Sequence, residues 1–211
     1  MKIVSYIRWI FIIVIGIAVA VYGVKERVSM GKEGIDLNDP DLDWSELKDG
    51  DHVEMDVKYL FSEFETVTDK NGNESARKYA MPRIVYDEDS EGWFIVDFIG
   101  INANKTQEYA SYDALVDEMY DWWFSDDVTE YNPTTVHLDG IVRKMQDDDI
   151  GFFAEYLKDA GYEDDELDDT MYQYCIYPAQ SHNGLIIGIG AVVALLGVAA
   201  LSFKVIKTRK A

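Results

Sequence analysis

Cysteine, proline and histidine are scarce in this sequence of 211 residues, which has one cysteine, four prolines and three histidines. A single cysteine excludes a disulfide framework within the chain. Positive charge is scarce as well, because 19 Lys and Arg stand against 40 Asp and Glu, a formal net charge of −21. This balance argues against nucleic acid as a partner, since a phosphate backbone requires a basic surface. Hydrophobic residues make up 48% of the chain, which excludes a disordered chain.

Charged residues are missing altogether from two apolar segments, residues 9–24 and 184–203. The second segment, as a helix, matches the roughly 30 Å hydrocarbon core of a bilayer. The first segment is shorter, and the long side chains of Arg8 and Lys25 complete it by reaching the interface. We predict that both segments are transmembrane helices. The alternative for the first is a cleaved signal peptide, because Ala18, Val19 and Ala20 form a suitable cleavage triplet.

The basic residues that flank the second apolar segment predict the orientation of the chain. Lys204, Lys207, Arg209 and Lys210 follow this segment, whereas residues 181–183 before it carry no charge. The positive-inside rule therefore places the C-terminus in the cytoplasm, and two crossings place the N-terminus there too. We expect a two-pass protein of the cell membrane with residues 1–8 and 204–211 in the cytoplasm. The middle region, with a net charge of −28, then lies outside it.

The middle region divides into an acidic linker and a folded domain. Glycine, proline and dense acidic residues indicate a linker over residues 25–50. Alternating apolar and polar residues predict a strand at 52–59, and Pro82 predicts an edge or irregular stretch in the next one. Hydrophobic patterning across residues 51–178 predicts further strands near 78–86, 93–101, 134–145 and 170–177, and helices at 111–124 and 149–160.

This order of strands and helices resembles an oligonucleotide/oligosaccharide-binding (OB) barrel, with residues 135–142 in the position of its fourth strand. The predicted fold class is α+β, an OB-like five-stranded barrel with two helices, flanked by two transmembrane helices. The whole layout resembles uncharacterised two-pass bacterial membrane proteins with a small β-rich extracytoplasmic domain. That resemblance implies no activity and no catalytic residues.

Motifs for metal binding and catalysis are incomplete in this sequence. Asp39, Asp41 and Asp43 alternate as in a calcium loop, but Trp44 occupies the position that requires glycine. The histidines are far apart and Cys175 is alone, so the spacing of a zinc site is missing. No nucleophile motif is present. We therefore predict that the protein is not an enzyme and has no metal site, no cofactor and no catalytic residue.

Aromatic residues are the candidate binding residues. Tyr172 and Tyr174 share one face of the last predicted strand, and Trp122 and Trp123 lie near the end of the first predicted helix of the domain. When exposed, such rings stack on sugars or on the side chains of a partner. The alternative is that these four residues pack in the core.

Small residues at four-residue spacing occur in both apolar segments, at Gly16 and Ala20 in the first and at Gly184 and Gly188 in the second. Such spacing allows close approach of helices in a membrane. We predict that these residues pack helices together, either the two helices of one chain or the helices of a homo-oligomer.

The sequence favours a membrane-anchored, non-enzymatic interaction or scaffolding protein that presents an acidic extracytoplasmic domain. Its expected partners are the lipid bilayer and another membrane or envelope protein. The first alternative is a module that binds an envelope glycan or a cationic peptide through the aromatic residues and the acidic face. The second alternative is a carboxylate-based hydrolase, since two facing carboxylates are what a glycosidase uses. With 40 Asp and Glu in the chain such pairs are inevitable, and they carry no specific signal.

Overall fold

The computed structural model describes residues 2–87, 92–104, 106–124, 132–179 and 183–209. It has two compact units, a helical unit within Met1–Lys32 and Gln180–Ala211 and a sheet unit within Glu33–Ala179. In chain order the elements are α1 (Lys2–Met30), β1 (Ile35–Asp36), a 3-10 turn (Trp44–Glu46), β2 (His52–Val57), β3 (Glu63–Thr68), β4 (Glu74–Asp87), β5 (Gly92–Ala103), α2 (Thr106–Trp123), β6 (Val136–Lys144), α3 (Asp147–Asp159), α4 (Asp164–Thr170), β7 (Met171–Pro178) and α5 (Asn183–Arg209).

Two helices of the helical unit are long and apolar enough to cross a membrane, over Tyr6–Met30 in α1 and Leu185–Ile206 in α5. These stretches contain nearly all of the segments that the sequence predicted, residues 9–24 and 184–203. The first is longer than predicted because α1 continues through Met30, past the charged residues that follow the apolar run.

Glycine and alanine form the contact between α1 and α5. A Cβ atom on Gly16 would lie 2.5 Å from the backbone nitrogen of Ala194, and a Cβ atom on Gly190 would lie 2.5 Å from the backbone nitrogen of Ala20. Residue numbers therefore rise along α1 as they fall along α5, and the two helices are antiparallel. Both backbones approach so closely because neither contact position carries a large side chain.

The sheet unit contains one seven-stranded sheet in the order β1-β2-β6-β7-β5-β4-β3. The prediction of a closed five-stranded OB-like barrel is therefore wrong, because the strands form an open mixed sheet with two further strands, β1 and β3. The five predicted strands correspond to β2, β4, β5, β6 and β7. The sequence predicted neither β1, which has two residues, nor β3, which forms a separate strand after Tyr59 and Leu60.

The connection from β2 to β3 indicates that the open sheet is curved. Only residues 58–62 join these two strands, although they lie far apart in the strand order. The six Cα–Cα steps from Val57 to Glu63 reach at most about 22 Å, whereas five strand spacings across a flat sheet amount to roughly 24 Å. The parallel pair in the middle of the sheet, β5 with β7, aligns Ile101 with Ile176.

Helices cover both faces of this sheet. One core cluster joins alternate residues of the central strands, such as Tyr79 and Ile101, to Tyr112 and Leu115 of α2. A second cluster joins the intervening residues, such as Phe98, to α3 and α4. Both faces are therefore buried, and this explains why the sequence of β5 is nearly all apolar.

The helices of the sheet unit differ from prediction at their starts. The chain enters α2 at Thr106, so Ser111 lies inside the helix rather than at its N-cap. Gln146 caps α3, and Asp149 completes a capping box from inside the helix. The acidic run after Gly161 forms the extra helix α4, because Leu167 is buried on its inner face.

The segment predicted as a linker is partly folded. Leu37, Trp44 and Leu47 are buried in the same core cluster as α2. Asp43 caps the 3-10 turn by accepting a hydrogen bond from the backbone of Ser45. Leu37 and Leu47 are 10 residues apart in an otherwise acidic stretch. The apolar residues here follow neither a helical nor a strand periodicity, so the sequence did not predict that they are buried.

Candidate functional site

A buried ion pair lies where β4 and β5 diverge from the rest of the sheet. Arg83 and Asp97 face each other in register, and Arg83 Nε lies 3.0 Å from both carboxylate oxygens of Asp97. Asp97 is 2% exposed and Arg83 is 24% exposed. Burial raises the pKa of Asp97 above its usual value, and the hydrogen bonds from Arg83 oppose that shift. We call this pair the polar centre.

Three further groups hold the polar centre in place. Arg83 Nη1 donates to the carbonyl of Leu42 at 3.1 Å, and its guanidinium lies 5.6 Å from the ring centroid of Trp44. The Tyr172 hydroxyl donates to Asp97 Oδ2 at 3.3 Å. Burial and the charge of Asp97 raise the pKa of Tyr172 to about 12, so the hydroxyl keeps its proton at neutral pH.

A cleft of about 160 Å³ runs along the outer side of β4 beside the polar centre. Residues 81–85 of β4 form one wall, and residues 37–40 with Trp44 form another. The floor includes Met55, while Asp39 and Asp56 bring carboxylates to the rim. The cleft therefore combines apolar walls with acidic groups, a lining that suits apolar and cationic side chains.

Beyond the polar centre, β4 and β5 continue as a two-stranded projection with exposed apolar side chains. We call residues 84–87 and 92–96 the apolar arm. Val85 aligns with Phe94, and Tyr86 aligns with Trp93. Trp93, Tyr86 and Phe94 are 50%, 49% and 48% exposed, and the rings of Tyr86 and Trp93 meet edge to face at 5.1 Å. A cluster of exposed apolar side chains of this kind is typical of an interaction surface.

The predicted aromatic binding residues occupy two other places. Tyr172 and Tyr174 are half-buried and pack against the core cluster of α2. Trp122 is half-buried and Trp123 is 41% exposed at the end of α2, with ring centroids 5.8 Å apart. Of the four, Tyr172 contacts the polar centre. Their role in binding stays a prediction.

The predicted small residues also separate into two groups. Gly16 and Ala20 lie at the contact between α1 and α5, as described above. In α5 the close contacts come from Gly190 and Gly197 instead, because nothing lies within 4 Å of a Cβ atom placed on Gly188. The structure describes the backbone of Gly184 within α5.

The predicted anchoring residues lie at the ends of the two long helices. Arg8 and Lys25 are exposed on α1. The ammonium group of Lys204 lies 4.8 Å from the ring centroid of Tyr6, which brings the end of α5 to the start of α1. Lys207 and Arg209 belong to the last turns of α5, and Lys210 lies outside the described residues.

Histidine and cysteine are placed apart from the polar centre. His52 Nε2 lies 2.9 Å from Asp139 Oδ1, and exposed His137 lies 3.0 Å from Asp56. Cys175 is fully buried, and burial raises the pKa of its thiol, which disfavours the reactive thiolate. In the part of the chain that the structure describes, no group of three or more His, Cys, Asp or Glu is arranged to hold a metal ion.

Comparison with protein families gives one match, a model described as Domain of unknown function (DUF8577), over residues 1–207. The chain belongs to the DUF8577 family. No curated protein matches it. The matched residues include both apolar segments as well as the sheet unit. The resemblance to two-pass bacterial membrane proteins stays a prediction.

The sequence of this DUF8577 chain did not predict the polar centre or the apolar arm. Arg83 and Asp97 are 14 residues apart, and only the register of β4 with β5 brings them together. The apolar residues 93–96 belong to a strand that the sequence correctly predicted to be central. Its first half nevertheless projects beyond the neighbouring strand β7, whose pairing with β5 begins at Phe98.

Proposed function

We propose that this chain is a membrane-anchored, non-enzymatic interaction protein that presents its acidic sheet unit outside the cytoplasm. The antiparallel packing of α1 and α5 supports this topology, because two adjacent antiparallel helices that each cross the bilayer leave both termini on one side. The sheet unit connects the other two helix ends, and it therefore belongs on the opposite side.

The charges at the helix ends support the orientation. Lys204 lies beside Tyr6, so the basic C-terminal residues and the N-terminal Lys2 and Arg8 belong to the same end of the helix pair. At the other end, Lys25 and Arg27 are accompanied by the acidic residue Glu26. The excess of positive charge at the terminal end favours a cytoplasmic location for both termini.

The charge of the sheet unit carries the proposal of an interaction role. Residues 33–179 contain 39 Asp and Glu against 10 Lys and Arg, a net charge of −29. Arg77, Lys78, Arg83, Arg143 and Lys158 each form an ion pair with a carboxylate of the same unit. Much of the scarce positive charge is thus held within the fold, and the acidic excess faces solvent, where it attracts a cationic partner.

The polar groups of the sheet unit take part in contacts within the fold. Asp97 is engaged by Arg83 and Tyr172, and His52 is engaged by Asp139. Among the alternatives, a cationic polypeptide fits the sheet unit better than a glycan. Tyr172 and Tyr174, the residues predicted to stack on sugars, are half-buried against the core.

The topology is testable by labelling introduced cysteines with a membrane-impermeant maleimide in whole cells. The wild-type chain is the control, since its Cys175 is buried. We expect Asp168→Cys, at an exposed position of α4, to react in intact cells. We expect Thr208→Cys, near the end of α5, to react only after lysis. The opposite pattern, or labelling of both positions only after lysis, would overturn the topology.

The interaction role is testable with the full-length protein in nanodiscs against an array of cationic, neutral and acidic peptides and an array of glycans. We expect retention of cationic peptides that weakens as salt is raised, because the attraction to the acidic surface is screened. Retention of neither peptides nor glycans would contradict the interaction role. Selective retention of glycans would favour the glycan-binding alternative.

A further inference from the structure

We propose that the apolar arm and the adjoining edge of β4 bind an extended polypeptide segment with basic and apolar side chains, which adds to β4 as a further strand. This inference rests on the proposed interaction function and assigns its site. The juxtaposition of a strand edge that has no partner among the described strands, a cleft beside that edge and exposed aromatic rings carries it.

The edge of β4 becomes accessible beyond Pro82. Pairing between β3 and β4 runs from Thr68 with Glu74 to Glu63 with Tyr79, and two further hydrogen bonds reach Ala80. From residue 81 to residue 86, β4 has a described strand partner only on its β5 side. Residues 81 and 82 are buried, whereas residues 83 and 84 are half-buried and residues 85 and 86 are exposed. The outward backbone groups of residues 83–86 are those that an added strand requires. Pro82 contributes no donor, which limits unspecific pairing there.

Side-chain anchors accompany this edge. Val85 and Phe94 align across the arm, and Tyr86 aligns with Trp93, so rings are available at the end of the cleft. A two-stranded projection with so much exposed apolar surface is only marginally stable in water. Covering Trp93 and Phe94 with a partner removes that surface from water, and aromatic residues are the usual anchors of such interfaces.

Charge selects the occupant. A second copy of the sheet unit also carries a net charge of −29 and is repelled, whereas a basic segment is attracted.

The polar centre gives the site a rigid base. Arg83 and Asp97 lock β4 to β5 where the arm begins, and Leu42 and Trp44 fix the opposite wall of the cleft to Arg83. A strand that enters the cleft therefore meets a preformed edge, and little ordering of the protein opposes binding.

The test uses the full-length protein in zwitterionic nanodiscs and a peptide of about twelve residues that alternates lysine with valine, isoleucine or tyrosine. We expect the W93S/F94S variant to bind this peptide at least about tenfold more weakly than the wild type. The matched control is Phe152→Ser, which removes a ring that is 48% exposed on α3, and we expect unchanged affinity. Val85→Arg is a second arm variant that repels the peptide without removing a ring.

Two modified peptides separate strand addition from simple charge attraction. Methylation of the backbone nitrogens along one edge of the peptide removes the hydrogen-bond donors of that edge but keeps the charge. A peptide methylated on the edge that pairs with β4 is expected to lose binding, and a peptide methylated on the opposite edge is expected to keep it. Replacement of lysine by glutamate is expected to abolish binding.

Wild-type binding that neither arm variant weakens would overturn the assignment to the arm while leaving the interaction function in place. Failure of the lysine peptide to bind the wild type would also overturn it. Self-association of the wild type that W93S/F94S abolishes would assign the arm to a second copy instead.

Discussion

At the scale of single residues, Asp97 is a buried charge that depends on its partners. Its carboxylate is 2% exposed, and it remains charged because Arg83 supplies a bidentate partner and Tyr172 a further donor. A buried carboxylate that loses its cation is far more costly than the intact pair. The same logic applies to Lys78, which is 5% exposed and lies 2.8 Å from Glu65 and 2.7 Å from Asp149.

Replacing Arg83 by methionine is therefore expected to destabilise the sheet unit by about 3 kcal/mol at pH 8. Burial already raises the pKa of Asp97, and loss of the guanidinium raises it further. The unfolded carboxyl titrates near its usual value of about 3.9. The cost of the variant is full above the folded pKa of Asp97 and shrinks as pH falls through it, because the buried carboxyl takes up a proton.

The measurement is thermal unfolding of the full-length variant and wild type in the same detergent, followed by tryptophan fluorescence at pH 8 and pH 5. We expect the difference in melting temperature to be smaller at pH 5. A difference that does not depend on pH would show that Asp97 is not the group left uncompensated. Arg83→Lys, which keeps the charge, is the control with the smaller loss.

At the scale of elements, glycines decide how α1 and α5 approach each other. Gly190 and Gly16 stand where the opposing backbone passes within 3 Å of an added Cβ atom. Gly188 lies two residues from Gly190, yet an added Cβ atom there meets open space. Spacing in the sequence does not distinguish these glycines, because it reports which residues share a face of the helix but not which face meets the neighbour.

Gly190→Leu and Gly188→Leu form a matched pair of variants for this contact. We expect Gly190→Leu to force the helices apart and to lower the stability of the helical unit by about 1–3 kcal/mol, the usual range for overpacking. We expect Gly188→Leu to be tolerated. The readout is the midpoint of thermal unfolding in detergent micelles by far-ultraviolet circular dichroism. Equal effects of the two variants would contradict the packing described here.

At the scale of the whole molecule, the distribution of charge dominates. A net charge of −29 on residues 33–179 makes the folded sheet unit repel itself, and this repulsion weakens when salt shortens the Debye length. The ion pairs of Arg77, Lys78 and Arg83 are less sensitive to salt, since their charges are partly or fully removed from solvent. Salt is therefore expected to stabilise this protein.

Raising sodium chloride from about 10 mM to about 150 mM is expected to increase the free energy of unfolding by about 1 kcal/mol, or the melting temperature by about 3 °C. The check is thermal unfolding of the full-length protein in a non-ionic detergent. N-methylglucamine chloride at the same ionic strength is the control and is expected to act equally. A decrease of the melting temperature with salt would show that attractive ion pairs outweigh the repulsion.

Local patterns accounted for many features of this chain. Two uncharged runs marked α1 and α5, and alternation marked β2. Gly161 ends the helical stretch at φ +104°, as a left-handed stop requires. Each of these features depends on residues close together in the chain, and for this reason periodicity detects them.

The sequence by itself determined the two apolar spans, the acidic character of the region between them and the buried faces of most strands, because side-chain periodicity and charge are local properties. Only the tertiary structure decided that the sheet is open and seven-stranded, that Arg83 meets Asp97, and that residues 84–87 and 92–96 extend beyond the pairing of β5 with β7. These depend on which strands pair and where pairing stops. Strand pairing is a balance of contacts between distant residues, which no short window of sequence contains.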